Sequence, residues 1–175
     1  MRTDKLIKNI IDVLSEQQIK LGFMEGKVRL YYPLKSLQIM LDIDNADKIE
    51  SALKQFQEEA SDKLGDIIIE RSKDRFCFII PPEGSRFVHD NIPEDSFIAK
   101  LVELISRHCS IEDIFDIFNE NSDSVCIREI VNGDFKYLIY FENEIPDDFY
   151  YCFNIEGEHI IYHRYTKSDY EDMFG

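Results

Sequence analysis

The sequence predicts an α+β protein built from two modules. Apolar residues recur at helical spacing over three long stretches, near residues 4–21, 46–64 and 94–108. Apolar–polar alternation marks one short strand and a hairpin in the first half, then four successive strands in the second. Charge divides the chain at the same place: 14 Lys+Arg against 16 Asp+Glu up to Pro93, and 6 against 19 from Glu94 onward. A chain of 175 residues with few Gly and Pro is long enough to bury a core without disulfides or metal.

The first helix is expected over 4–21, with Ile7, Ile10, Ile11, Leu14 and Leu21 inward and Gly22 ending it. A short strand follows over 27–32, with Val28, Leu30 and Tyr32 on one side and Lys27, Arg29 and Tyr31 on the other. Pro33 stops that strand and opens a second helix, 34–41. Asp42, Asp44 and Asn45 make a polar turn and cap a third helix, 46–64, whose stripe is Ile49, Leu53, Phe56, Ala60 and Leu64. A hairpin over 67–80 turns at Ser72-Lys73-Asp74. The order helix, strand, helix, helix, hairpin resembles the winged-helix form of the helix-turn-helix, with residues 1–82 as the winged-helix-like module. This likeness is one of topology and carries no function with it.

Pro81-Pro82-Glu83-Gly84 opens what reads as a connector, 83–93. The acidic α+β module, 94–175, begins with a helix to residue 108. Ser110 and Asp113 then form a capping-box pair ahead of a helix with Ile111, Ile114, Phe115 and Phe118 inward. Four antiparallel strands are expected, the first pair joined by Asn132-Gly133 as a type I′ hairpin, the second by a turn at Glu156-Gly157. Thr166 and Asp169 cap a last helix holding Tyr170, Met173 and Phe174.

The four cysteines lie outside any CxxC spacing, and Cys77, Cys126 and Cys152 sit in apolar runs, where a free thiol packs as a small hydrophobe. With no apolar signal segment or membrane-length run, this pattern suggests a reduced, cytoplasmic chain without membrane attachment.

Chemistry is sparse. Asp42, Asp44 and Asp47 lack the Gly and terminal Glu of a calcium loop and are better explained by capping. His159 and His163 are too far apart along a strand to chelate one ion easily, and His108 and Cys109 diverge as sequence neighbours. Asp147 and Asp148, with Glu142 and Glu144, read as a solvated run. No catalytic residue, metal ligand or cofactor is expected, and the chain does not read as an enzyme.

A DNA reader needs cations facing phosphates. The third helix is net negative, and a strongly acidic second module opposes a polyanion, so nucleic acid is a poor fit. Were the winged helix to contact DNA as a transcriptional regulator, Arg71, Lys73 and Arg75 of the wing with Lys48 and Lys54 of the third helix would have to share one face.

Seven of the nine tyrosines follow residue 93. Tyrosine among carboxylates suits an interface with a basic protein, such as a toxin or nuclease held by an inhibitor. The expected contact residues are Tyr140, Tyr150, Tyr162, Asp147 and Asp148; the plainer account has the rings filling both faces of a core sheet.

Two stretches also carry a family likeness. Glu16-Gln17-Gln18-Ile19-Lys20-Leu21-Gly22 leading to Arg29-Leu30-Tyr31-Tyr32-Pro33-Leu34, and Tyr162-His163-Arg164-Tyr165-Thr166 with Asp169-Tyr170, resemble a domain-of-unknown-function family of gut clostridial bacteria. The resemblance implies a bacterial cytoplasmic setting and no particular activity.

Overall fold

Helix α1 (Thr3–Leu21) buries Leu6, Ile10 and Leu14, one residue per turn along a single face. Gly22 ends it at φ 82°, a backbone angle that side-chain-bearing residues avoid. Leu21, expected inward, is 70% exposed, because the helix has run past its core by then. These coordinates come from a computed structural model and describe residues 2–175.

Strand β1 (Val28–Pro33) leads directly into α2 (Leu34–Leu41), which Asp42 closes in the left-handed region. The Asn45 side chain accepts from the Asp47 N–H at 2.9 Å and starts a short 3-10 turn that feeds α3 (Ile49–Leu64). Strands β2 (Ile68–Ser72) and β3 (Arg75–Ile80) form the expected hairpin, with a two-residue turn at Lys73-Asp74. β3 lies in the centre of a three-stranded antiparallel sheet, ordered β1-β3-β2. Its inner residues Phe76, Phe78 and Ile80 meet the helices, and Phe78 packs edge-on to both Tyr32 and Phe56 at 5.1 and 5.7 Å. The Tyr32 hydroxyl donates to Asn9 Oδ1 at 2.8 Å, which satisfies its buried polar end.

The stretch expected as a connector is instead helix α4 (Pro82–Asp90). Proline is well suited to a first helical turn, where its missing N–H costs nothing, so the Pro81-Pro82 pair starts a helix here rather than a loop. Gly84, Ser85 and Val88 form its buried side, and Gln18 of α1 donates to the Ser85 carbonyl at 2.8 Å. Gly84 is required by proximity: a Cβ there would lie 2.5 Å from the Leu64 carbonyl oxygen and 2.7 Å from Ile80. Gly84→Ala is therefore expected to cost about 1–3 kcal/mol, because backbone must move to admit the methyl; urea denaturation measures it, and an unchanged midpoint would refute the packing argument.

The chain divides into two compact units, Met1–Glu94 and Asp95–Gly175. The second opens with α5 (Phe97–Ser106), capped by Ser96, and α6 (Ile111–Asn121). Both halves of the capping box are present: Ser110 N–H donates to Asp113 and Asp113 N–H donates to Ser110 Oγ. Strands β4 (Val125–Glu129), β5 (Tyr137–Phe141), β6 (Tyr150–Glu156) and β7 (His159–Tyr165) follow as an antiparallel meander in sequence order. Helix α7 (Lys167–Phe174) ends the chain, its cap made by the Asp169 N–H donating to Thr166 Oγ1 at 3.2 Å. Among the described residues no helix is long and apolar enough to cross a membrane.

The two turns of this sheet differ from one another. β6 and β7 join through Gly157-Glu158, with Gly157 at φ 63° as the first position of a type II′ turn requires. β4 and β5 are joined by a longer loop, and the last bond between them runs from Ile130 N–H to the Lys136 carbonyl. The type I′ turn expected at Asn132-Gly133 is absent, since only Asn132 has the positive φ which that turn needs at both positions. Phe135 lies within this loop and is buried against Phe174, and this anchoring draws the chain away from a tight hairpin.

Candidate interaction surface

Strand alternation sends the tyrosines of the second unit to opposite faces of its sheet. One face carries Ile139, Phe141, Tyr151, Phe153, Ile160 and Tyr162 and packs with residues of α5 and α6. The other carries Leu138, Tyr140, Tyr150, Cys152 and Tyr165 and packs with Tyr170 and Phe174 of α7. α7 has only eight residues and covers part of this face. Tyr140, Tyr150, Tyr165 and Tyr170 consequently stay half-exposed.

Tyr140 and Tyr150 are cross-strand partners whose rings stack at 4.3 Å with 13° between their planes. Arg128, two strands from Tyr150, donates to the Tyr140 hydroxyl at 3.3 Å and lies 5.9 Å from its ring. A hydrogen bond with the Cys126 thiol, reinforced by burial, pushes the Tyr140 hydroxyl up to about 12. The pair sits at the end of the sheet where the loop 142–149 joins β5 to β6, and Glu142, Glu144 and Asp148 of that loop are exposed.

The five residues expected at an interface do not form one set. Tyr140 and Tyr150 share the half-open face, and Asp148 is exposed beside it. Tyr162 is 8% exposed on the helix-covered face, where it belongs to the core. Asp147 is drawn inward rather than solvated as expected. Its carboxylate accepts from the Tyr151 hydroxyl at 2.5 Å and from the Phe149 N–H at 3.0 Å. Burial holds the Asp147 carboxyl above the usual carboxylate range, and the hydrogen bonds from Tyr151 and Phe149 and the positive charge of Arg164 oppose that rise. The Arg164 guanidinium lies 4.1 Å over the Phe149 ring and also hydrogen-bonds Tyr151. Asp147 thus fastens the loop to β6.

Of the cations that a DNA-reading face would need, the two arginines of the wing do not share one face. Arg71 and Arg75 occupy opposite faces of their hairpin, since Ser72 pairs with Arg75 and Arg71 with Phe76. Arg71 is ion-paired with Glu50 at 3.7 Å and donates to the Lys73 carbonyl at 2.9 Å. Lys48, Lys54 and Lys73 are exposed.

The histidines and cysteines form no larger cluster. His108 lies 5.1 Å from His159, and His163 lies on the α7 side near Tyr165. All four cysteines are free thiols. Among the described residues no group of three or more His, Cys, Asp or Glu comes together around a point that would hold a metal.

Fold and surface together define a two-unit α+β protein with an acidic, tyrosine-bearing second unit. Residues 3–174 match the family described as a domain of unknown function with an E. rectale gene description (DUF3877), and the chain belongs to that family. The likeness carried by the Tyr-Tyr-Pro and Tyr-His-Arg-Tyr stretches is met by this match. No curated protein and no solved structure matches the chain, so the winged-helix likeness of the first unit rests on element order alone.

Proposed function

We propose that the protein is a non-enzymatic, cytoplasmic interaction module whose second unit docks a basic protein. The observation that carries this reading is the stacked, half-exposed Tyr140–Tyr150 pair bordered by Glu142, Glu144 and Asp148. Such rings supply contact area at low entropic cost, and the carboxylates around them steer and orient a cationic partner. The one perturbed carboxylate near this surface, Asp147, is engaged by Tyr151 and Phe149 rather than facing an open cleft, which supports a binding role over acid–base chemistry.

The test is affinity capture from host lysate at low and high ionic strength, with and without nuclease. A nuclease-resistant basic partner should be captured at low salt and lost at high salt. Glu142→Lys with Glu144→Lys and Asp148→Lys should lower its affinity about tenfold or more, and Tyr140→Ser should do the same without removing the salt dependence. Salt-independent capture, or a partner indifferent to both changes, would reject the proposal.

A further inference from the structure

The outward face of the three-stranded sheet carries a second, chemically opposite surface. Its residues form three rows across the strands: Arg29, Ile79 and Ile68; then Tyr31, Cys77 and Glu70; then Pro33, Arg75 and Ser72. A cavity of about 560 Å³ opens over the last two rows and is lined by Arg29, Tyr31, Glu70, Ser72, Arg75 and Cys77, with Arg71 at its margin. That volume lies within the range of small-molecule sites.

The charge here is inverted relative to the chain. Over the whole sequence Asp+Glu outnumber Lys+Arg 35 to 20, yet on this face Arg29 and Arg75 flank one carboxylate, Glu70, while Arg71 belongs to the opposite face. Arg71 is held by Glu50, but among the described residues neither Arg29 nor Arg75 has a carboxylate within ion-pair distance. Between these two arginines stands Tyr31, 58% exposed, with the Arg75 guanidinium 5.8 Å from its ring. A large exposed aromatic flanked by planar, strongly donating cations is suited to a ligand with both an aromatic ring and an anionic group.

We propose that this face binds a free nucleoside phosphate. The base stacks on Tyr31, Arg29 and Arg75 take the phosphate oxygens, and Ser72 and Glu70 offer a donor and an acceptor to the sugar hydroxyls or the base edge. The size of the cavity fits one nucleotide, and a chain of net charge −15 disfavours a long polyanion, which selects the free nucleotide over a nucleic-acid strand. This site belongs to the first unit and the proposed docking surface to the second, and neither reading depends on the other.

The experiment is an NMR titration of the full chain with AMP, ATP, inorganic phosphate and a short single-stranded oligonucleotide. Saturable shifts are expected at amides around Tyr31 and Arg75 with AMP and ATP, and binding of phosphate alone should be weaker about tenfold or more. Tyr31→Ala should weaken nucleotide binding about tenfold while leaving phosphate unchanged, and Tyr31→Phe should preserve it. Arg29→Gln and Arg75→Gln should each weaken both ligands. These side chains are exposed, and the amide spectrum verifies that each variant is folded. Absence of saturable shifts overturns the proposal, as does nucleotide binding that ignores Tyr31→Ala, which marks an adventitious ion only. An oligonucleotide that binds more tightly than ATP overturns the choice of a free nucleotide.

Discussion

Phe118→Ala should lower the stability of the second unit by about 3–5 kcal/mol, the largest loss expected from any single truncation in it. Phe118 is fully buried at the inner face of α6. Its ring centroid lies 4.8 Å from Phe97, 5.1 Å from both Phe141 and Tyr151, and 6.0 Å from Phe153. It therefore joins α5, α6, β5 and β6 at one point, and alanine would leave a void that none of these elements can fill alone. A unit of about 80 residues has roughly 4–12 kcal/mol of total stability, so the variant stands near or past the threshold of folding. Urea denaturation followed by labelling of Cys152, which is 2% exposed in the native fold, reads the loss directly. Phe118→Leu should cost less than half as much. Equal midpoints for Phe118→Ala and the parent chain would mean that this aromatic cluster is not the centre of the core.

Position 118 was readable as core because Ile111, Ile114, Phe115 and Phe118 recur at helical spacing behind a capping box. The same local logic gave every strand, since period-two alternation and turn residues are properties of neighbouring positions. Where the reading failed, a distant contact decided the outcome. Pro81-Pro82-Glu83-Gly84 looks like a loop until Leu64 and Ile80 are brought against Gly84, at which point the same residues become the start of α4. Asn132-Gly133 has strong turn chemistry, but the burial of Phe135 against Phe174 overrides it.

The candidate surface was legible to a lesser degree, for a related reason. Alternation along β6 separates Tyr150 from Tyr151, but sequence does not say which of the two faces a helix will cover. Tyr162 therefore passed for a surface residue and Asp147 for a solvated one. The partner that draws Asp147 inward, Tyr151, lies only four residues away, yet a buried acid–phenol bond has no sequence signature. Arg29 and Tyr31 were visible as one side of a strand, but their relation to Arg75 depends on β1 pairing with β3 across more than forty residues.

Buried acidic protons give the protein a steep alkaline limit. Burial pushes the Cys152 thiol from its ordinary 9.0 up to about 12, and burial, with the nearby Asp147 charge, lifts Tyr151 well above its ordinary 10.0. In both groups the folded state holds its proton more tightly than the unfolded chain does. The stabilisation is thus complete below about pH 9, where neither state ionises, and is lost as pH rises toward 12, because the unfolded chain releases these protons first. While a group is ionised only in the unfolded state, each pH unit removes about 1.4 kcal/mol. Cys152 acts from about pH 9 together with Cys109, which burial also raises, and Tyr151 joins from about pH 10 with Tyr140, so the slope should steepen there. Urea midpoints measured at intervals between about pH 8 and pH 11 should show this break. Cys152→Ala should make both segments shallower, whereas Tyr151→Phe should leave the first unchanged and make only the second shallower. General repulsion in a chain of net charge −15 also grows with pH, but salt screens it and leaves the proton linkage of buried groups nearly intact. A decline that high salt abolishes would therefore assign the alkaline limit to surface charge and remove Cys152 and Tyr151 from its cause.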